Sequence, residues 1–516
     1  MFTRGNAVAL FGGLLIGVCF GAVPAGAASC ESLRSLSLLH TTITSAQSVA
    51  AGTFAPGGEG GEGAAAALRS LPAFCRVMAT ARPVSDSEIR FEVWMPASGW
   101  NGRFQGVGTA GMGGLIPLTA LVGPLKEGFA TAANDTGHQG DSTYAISHPE
   151  KVIDWGYRAF HEMTVQAKPI IAAFYGKGPS FSYMEGCGSG AQAAQIELQR
   201  FPDDYDGIAI TGFSDKTKHV FWQMWAWNAT HKDPASDIPK GKYTVLHQAV
   251  LDRCDAIDGV KDGVIEDPRR CRFDPKTIEC KGADGPACLT AQQVEAVRKI
   301  YAGPKNPRTG EQVFPPPYPG SELTWWRFTE AKPFGLADEF LRFFVFKDPK
   351  WDATLRPVNF DSDVALANRP DLQVVDAMNP DLAKFVKRGG KFLMYPGWSD
   401  TSIPPDVSIT YFKDAAAKLG AGAADSMRMF MVPGLGHCTP AESHGSFDSI
   451  RVLEQWVENK KAPEQIIVSH KVDGKVVRTR PLCQYGTVAT YKGGGSTDDA
   501  ASFSCKPLEP GIKEHN

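Results

Sequence analysis

The chain has 516 residues, of which 43% are hydrophobic and 10% aromatic, and 53 Lys and Arg against 56 Asp and Glu give a formal net charge of −3. This length allows a large buried core, and the apolar content argues against a disordered chain. Because the charge is nearly balanced, the basic excess typical of nucleic-acid-binding proteins is missing, and we expect no nucleic-acid partner.

The first thirty residues have the features of an export signal. Arg4 supplies a positive charge, residues 8–20 are mostly apolar, and the small residues 25–28 offer a cleavage site. The apolar stretch is shorter than the ~20 residues that a membrane-spanning helix needs. We therefore predict a signal peptide over residues 1–28 and a secreted or periplasmic protein without a stable membrane anchor.

The cysteines favour disulfide bonds. Of the 11 cysteines, Cys19 would leave with the signal, so that ten (11 − 1) remain in an exported chain. Zinc ligation is the competing interpretation, but no pair has C-x-x-C spacing. Short-range pairs are plausible for Cys254–Cys271, Cys280–Cys288 and Cys483–Cys505. The other four allow three connectivities, among which the sequence does not choose: Cys30, Cys75, Cys187 and Cys438.

Strand and helix patterns alternate in two parts of the chain. Apolar runs typical of buried strands occur at residues 129–133, 181–184, 208–211, 392–395 and 429–432. Helical stretches at 155–175 and 190–201 lie between several of them. We predict an α/β fold with a mostly parallel sheet covered by helices. The alternation lapses over residues 214–381, a length that favours a lid or second domain over a loop.

Residues 181–191 (FSYMEGCGSGA) predict a strand, a tight turn and a helix. This is the setting of a nucleophile elbow, in which small neighbours surround a strained turn and the next backbone N–H faces an oxyanion. Turns of this kind are also common without any catalytic role. Ser189 is the candidate nucleophile.

Two later loops strengthen this hypothesis. Asp400 follows a predicted strand that ends at Tyr395, and His437 follows another that ends at Val432. The order Ser, Asp, His is that of the α/β-hydrolases, in which the acid and the base lie on loops after late strands. Ser189 would attack, His437 would act as general base, and Asp400 would orient the histidine.

Six short motifs extend this pattern over nearly all of the chain: residues 100–104 (WNGRF), 135–138 (DTGH), 186–187 (GC), 254–262, 397–400 (GWSD) and 436–438 (GHC). With them, the chain resembles the tannase and feruloyl esterase family of secreted α/β-hydrolases, which includes mono(2-hydroxyethyl) terephthalate hydrolase. The resemblance implies disulfides Cys187–Cys438 and Cys30–Cys75. Together with the lapse of the strand–helix alternation, the resemblance predicts an α/β-hydrolase domain formed by residues 29–213 and 382–516, with a large inserted lid domain over 214–381.

The resemblance implies a carboxylic ester hydrolase that acts on aromatic esters of the hydroxycinnamate, gallate or terephthalate type. One position departs from the family, which has serine directly after the elbow cysteine, whereas this chain has Gly188 there. Either Ser189 attacks through a one-residue shift, or the chain is an impaired member that binds aromatic esters. A thiol mechanism through Cys187 is disfavoured by its implied disulfide. The sequence gives no signal for an oligomeric state.

The glycine-rich residues 106–114 follow an early strand, where an α/β-hydrolase has its second oxyanion donor. A phosphate-binding loop is the alternative, but the lysine of a P-loop is missing. We predict oxyanion contacts from the backbone N–H groups of Ala110 and Ser189.

Carboxylates recur in the turn-rich residues 252–264, where hard oxygen ligands would suit Ca²⁺ and a solvated acidic turn is the plain alternative. The resemblance implies a structural calcium ion held by side chains and carbonyls of Asp255, Asp258, Val260, Asp262 and Val264. Aromatic runs at 221–227 and 325–328 favour core packing, or a slot for a flat ring, with Arg327 either at the surface or facing a substrate carboxylate.

Overall fold

The computed structural model describes Met1 and residues 28–56, 62–213, 215–439 and 443–508. Most of the predicted signal peptide, residues 2–27, lies outside this set. Among the described residues, no helix is long and apolar enough to cross a membrane.

A nine-stranded sheet forms the centre of the molecule, with strand order β1-β2-β3-β5-β4-β6-β7-β8-β9. Strands β1 to β3 and β5 pair antiparallel, and from β5 to β9 all neighbours are parallel. The strands of this sheet are β1 Thr41–Val49, β2 Phe74–Ala81, β3 Ile89–Pro96, β4 Arg103–Val107, β5 Ala130–Asn134, β6 Phe181–Cys187, β7 Gly207–Thr211, β8 Lys391–Met394 and β9 Met427–Met429. Two antiparallel pairs follow, β10 Gln465–Val472 with β11 Lys475–Cys483, and β12 Thr487–Tyr491 with β13 Phe503–Pro507.

Fourteen α-helices lie in the described part of the chain: α1 Glu62–Arg69, α2 Val122–Lys126, α3 Pro149–Ile153, α4 Ala159–Tyr175, α5 Ser189–Arg200, α6 Lys216–His231, α7 Lys240–Cys254, α8 Ala291–Ala302, α9 Gly335–Glu339, α10 Ser362–Ala367, α11 Ala383–Lys387, α12 Asp406–Leu419, α13 Ala423–Ser426 and α14 Ser449–Val457. The predicted helices at 155–175 and 190–201 correspond to α4 and α5. The first of them starts later than predicted, because residues 154–158 form a π-helical turn.

The side chains of each strand alternate between two cores, because successive side chains point to opposite faces of the sheet. In β7, Ile208 and Ile210 pack in the core shared with α4, α5 and α12, whereas Ala209 packs in the core shared with α14. Helices therefore cover both faces, and the chain has the α/β-hydrolase fold that the sequence predicts.

Helices α6 to α11 lie between β7 and β8, and no strand occurs among the described residues of this segment. Its side chains form most of two hydrophobic cores, and both also contain residues of the sheet domain, for example Met112 and Trp155 in one and Val407 in the other. The domain limits at 214 and 381 stay a prediction, since the inserted helices share this packing with the rest of the molecule.

Five disulfides are present in the described part of the chain, and each pairing matches an expectation from the spacing or from the resemblance: Cys30–Cys75, Cys187–Cys438, Cys254–Cys271, Cys280–Cys288 and Cys483–Cys505. The pair Cys187–Cys438 closes a sequence separation of 251 residues. A crosslink over so long a loop is expected to stabilise the fold by about 2–5 kcal/mol.

Candidate active site

The turn after β6 has the backbone of a nucleophile elbow. Gly188 has φ +58° and ψ −119°, and α5 begins at the next residue. L-residues rarely adopt such a conformation, and glycine adopts it without a steric penalty. The turn is also crowded, since a Cβ on Gly108 would lie 2.6 Å from the Cα of Gly190. The small residues on both sides of the turn are therefore required by packing.

The predicted acid and base meet at the carboxyl edge of the sheet. His437 Nδ1 lies 2.9 Å from Oδ2 of Asp400, whose other oxygen accepts a 2.9 Å hydrogen bond from the backbone N–H of Ile403. Asp400 is only 2% exposed. A buried carboxylate at this distance holds the Nδ1–H tautomer and leaves Nε2 free to accept a proton.

Electrostatics prepare His437 to take up a proton. Burial of the imidazole lowers its pKa, but the charge and the hydrogen bond of Asp400 outweigh burial, so that the pKa of His437 is raised above its ordinary value. Lys216 and Arg327 act in the opposite direction. The geometry thus allows His437 to act as a base that the carboxylate of Asp400 orients, and these catalytic roles stay predictions.

Gly212, which follows β7, makes room for this pair. A Cβ there would lie 2.9 Å from Asp400 Oδ2 and 3.1 Å from His437 Nδ1. The sequence analysis did not identify Gly212, although a glycine directly after a predicted strand and before Phe213 could have indicated a close packing contact there.

The Nε2 atom of His437 faces position 188. A Cβ built on Gly188 would lie 3.0 Å from Nε2 and 3.4 Å from Cε1 of the ring. The adjacent Cys187–Cys438 disulfide joins the elbow to the histidine loop, with Cα atoms 5.8 Å apart. Position 188 is therefore the place that a side chain must occupy to share a proton with His437, and glycine leaves it without one.

Ser189 has different partners. Its Oγ donates a 2.5 Å hydrogen bond to the carbonyl of Gly111 and accepts one of 2.8 Å from Lys216 Nζ. A hydrogen bond from Ser189 to His437, the predicted general base, is not among the contacts of the described residues. Ser189 as nucleophile stays a prediction, and the basic group in contact with it is Lys216, which the sequence reasoning did not identify.

The glycine-rich loop lies against the start of α5. It turns through a 3.1 Å hydrogen bond from Gly113 N–H to the carbonyl of Ala110, and its Gly108 contacts Gly190. Ser189 is the first residue of α5, where backbone N–H groups have no partner within the helix. The oxyanion roles of Ala110 and Ser189 stay predictions on this geometry.

A cavity of about 420 Å³ opens beside the disulfide, and its lining includes Ala110, Cys187, Tyr395, Leu435 and Cys438. A space of this size with an apolar lining suits a small aromatic group.

Two hydrogen bonds join the inserted segment to the loop that contains Asp400. Trp222 Nε1 donates a 2.6 Å hydrogen bond to the carbonyl of Thr401, and Ser399 Oγ donates one of 3.0 Å to the carbonyl of Gly320. Trp325 is buried in a core, whereas Arg327 is exposed and close enough to influence the pKa of His437.

The acidic loop after α7 gathers three carboxylates. Both oxygens of Asp255 accept backbone hydrogen bonds, from Asp262 and Gly263, at 3.2 and 3.0 Å. Burial, together with the charges of Asp262 and Asp255, raises the pKa of Asp258 to about 6. A fourth acid that the sequence reasoning missed, Glu266, has a pKa raised to about 8 by burial and by Asp258.

One cation of the chain, Arg480, is hydrogen-bonded to Asp262. Asp255 is buried and Asp258 is half-buried in the same loop, which is costly unless a cation balances their charges. Val260 and Val264 are buried in the same loop, and their N–H groups bond to Asp258 and Asp262 at 2.9 and 3.3 Å. Carboxylate and carbonyl oxygens are the donors that calcium prefers. The three aspartates are not, however, among the groups of described residues whose ligand atoms all lie within 4.8 Å of one another, so the calcium ion stays a prediction.

Comparison with known proteins agrees with this arrangement. The sequence profile described as "Tannase and feruloyl esterase" matches residues 75–506. An uncharacterised esterase of Xanthomonas campestris is 39% identical, over 93% of this chain and 91% of that protein. A probable feruloyl esterase B-1 of Aspergillus oryzae is 30% identical over 84% of each chain.

Among solved structures, feruloyl esterase B from Aspergillus oryzae superimposes with a TM-score of 0.84 and 27% identity, covering 92% of this chain and 99% of that one. The profile spans most of the described residues, and its match includes the elbow, the Asp400–His437 pair and the acidic loop. The chain belongs to the tannase and feruloyl esterase family of carboxylic ester hydrolases.

Proposed function

We propose that this protein is a slow hydrolase of aromatic acid esters in which Ser189 attacks the ester and the Asp400–His437 pair completes the reaction. One observation carries the proposal: His437 and Asp400 are in contact, and the Nε2 atom of His437 faces Gly188, which has no side chain. The family and the names of two relatives support the substrate class, which we take to be hydroxycinnamate, gallate or terephthalate esters.

The two halves of the reaction would use different groups. Ser189 Oγ forms a bond to the ester carbonyl carbon, the carbonyl electron pair moves to oxygen, and the alcohol leaves as the tetrahedral intermediate collapses. The backbone N–H groups of Ala110 and Ser189 would stabilise the oxyanion. A water in the space beside Gly188 then attacks the acyl carbon, and His437 Nε2 takes its proton while Asp400 stabilises the imidazolium. Collapse of this second intermediate breaks the bond between the acyl carbon and Ser189 Oγ, the acid leaves, and Oγ takes the proton back from His437, which is neutral again.

Gly188 favours a second candidate function, binding of aromatic esters without turnover. In that case the acid–base pair and the apolar cavity persist, but no side chain reaches the substrate carbonyl.

An ester panel distinguishes the two. We expect the native protein to hydrolyse methyl ferulate, methyl gallate or mono(2-hydroxyethyl) terephthalate slowly, and methyl hexanoate more slowly still. Ser189→Ala should lose this activity. His437→Ala should release one equivalent of nitrophenol from p-nitrophenyl acetate and then stall, because its acyl-enzyme lacks a base for water.

Binding of methyl ferulate by calorimetry with no product from the native protein would establish the second function instead. Full activity in Ser189→Ala would show that another group attacks.

Export of the chain is part of the proposal. The predicted signal peptide lies outside the described residues, and the five disulfides support an oxidising compartment.

We further propose that the acidic loop binds a structural Ca²⁺ through the carboxylates of Asp255, Asp258 and Asp262 and the carbonyls of Val260 and Val264. The ion would supply positive charge and fix the loop that the Cys254–Cys271 disulfide also crosslinks.

Removal of this ion should destabilise the protein. At a free Ca²⁺ concentration of 100 times Kd, binding to the folded state contributes about 2.7 kcal/mol, so EGTA should lower Tm and added Ca²⁺ should restore it. Asp258→Asn should lose this response, whereas Asp252→Asn, an exposed acid on the preceding helix, should keep it. A Tm unchanged by EGTA and by Ca²⁺ would contradict the proposal.

A further inference from the structure

Lys216 is a buried lysine at the centre of the site, and none of the reaction steps above uses it. It is the first residue of α6 and is 3% exposed. Its Nζ donates a 2.8 Å hydrogen bond to Ser189 Oγ and lies 5.3 Å from the ring centroid of Trp155. The ammonium group thus contacts both the hydroxyl of Ser189 and the ring of Trp155.

The surroundings of Lys216 disfavour its charged form. Burial lowers the pKa of Lys216 to about 8, and only the more distant charge of Glu339 opposes this. Its other titratable neighbours are His219, whose pKa burial lowers to about 3, and His437. Among the described residues no carboxylate lies within salt-bridge distance of Nζ. Near pH 8 a substantial fraction of the lysine is therefore neutral and can accept a proton.

The geometry allows that proton to come from Ser189. Its hydroxyl has two partners, the Gly111 carbonyl at 2.5 Å and Lys216 Nζ at 2.8 Å. When Nζ is neutral, rotation about the Cβ–Oγ bond turns the hydroxyl hydrogen from Gly111 to the lysine without movement of either heavy atom. By contrast, His437 Nε2 faces position 188.

We propose that Lys216 is the catalytic base for Ser189, so that the chain has a serine–lysine nucleophilic pair beside its Asp400–His437 pair. This inference rests on the proposed function and assigns the proton acceptor that it lacks. Serine–lysine pairs occur as one of several solutions to serine activation.

The acylation step balances within these groups. The neutral Nζ takes the Ser189 proton as Oγ bonds to the carbonyl carbon, and the carbonyl electron pair moves to oxygen. When the intermediate collapses, the carbon–oxygen bond to the alcohol breaks, and the leaving alkoxide takes the proton from Nζ. Lysine is neutral again, and the acyl-enzyme remains for attack by water.

The alternative is that Lys216 only fastens the glycine-rich loop to α5 through Ser189 and Gly111. A fastening role needs a hydrogen-bond donor at position 216, whereas a base needs a group that can lose its proton. Lys216→Arg separates these roles, because arginine donates hydrogen bonds but stays protonated. Lys218, half-buried on the same helix and paired with Asp215, provides the matched control.

The test is the rate at which a fluorophosphonate labels the full-length native protein, with the modified residue identified by peptide mapping. We expect labelling on Ser189, rising with pH to a plateau above about 8. Lys216→Met and Lys216→Arg should slow labelling at least 100-fold and abolish the pH dependence. Lys218→Met should label like the native protein, and thermal unfolding establishes that all variants are folded.

Rapid labelling of Ser189 in Lys216→Met, or rescue by Lys216→Arg, overturns the assignment of Lys216 and leaves Ser189 as nucleophile. No labelling of Ser189 in the native protein overturns both this assignment and the proposed attack by Ser189. Labelling of Ser189 that depends on Lys216, without hydrolysis of any aromatic ester, supports the pair and overturns the proposed substrate class.

Discussion

Gly188→Ser is expected to raise kcat for methyl ferulate by about 10³-fold or more. Loss of the nucleophilic serine from an assembled triad costs about 10⁶-fold in kcat, so restoring it to an intact acid–base pair should recover a large part of that factor. The Cβ of the new side chain would lie 3.0 Å from His437 Nε2, which places its hydroxyl within hydrogen-bonding reach of that atom.

The same substitution should destabilise the fold. A non-glycine residue at φ +58° costs on the order of 1–3 kcal/mol, so Tm should fall as kcat rises. Gly188→Ala is the control: it has the same backbone cost and fills the space, but has no hydroxyl. We expect it to lower Tm similarly and to hydrolyse no faster than the native protein. An equal gain with alanine, or no gain with serine in a folded variant, would contradict this account of position 188.

Asp400→Asn, introduced together with Gly188→Ser, is expected to lower kcat by about 10⁴-fold. The amide no longer fixes the Nδ1–H tautomer or stabilises the imidazolium. Since Asp400 lies 2.9 Å from the ring and is buried, no solvent screening compensates for its loss. The measurement is kcat for methyl ferulate in the single and the double variant.

The pH profile of activity shows in which direction the replacement of Asp400 shifts the pKa of His437. As a base, His437 must be neutral, so activity falls on the acid side as it becomes protonated. Asp400 raises the pKa of His437 above its ordinary value against the effect of burial. Its replacement should therefore lower that pKa and move the acid limb of kcat/KM to lower pH. A limb that stays in place would show that another group controls it.

Much of this site was predictable from the sequence because its parts are short local patterns. Strand–turn–loop signals located Asp400 and His437, and the family resemblance gave the Cys187–Cys438 pairing that the cysteine count left open. The geometry then added what spacing does not contain, namely which atom each side chain faces. For example, the structure shows that Gly188, rather than Ser189, lies opposite His437.

The site residues that the sequence did not predict make their contacts with residues that are distant in the sequence. Lys216 is 27 residues from Ser189 in the sequence. The two residues are in contact because β7 pairs with β6, so that α6, which follows β7, begins beside the elbow. Glu266 is half-buried and close enough to Asp258 and Asp262 for their charges to raise its pKa, and no sequence motif marks it. In the inserted segment there are no strands among the described residues and no simple period, so its helix limits could not be predicted.

The position at which a fluorophosphonate labels Gly188→Ser tests the central claim most directly, namely that His437 serves position 188. If the claim is correct, peptide mapping will find the introduced serine modified much faster than Ser189, and His437→Ala in the same background will remove this preference. Modification confined to Ser189, or modification of the introduced serine that does not depend on His437, would contradict it.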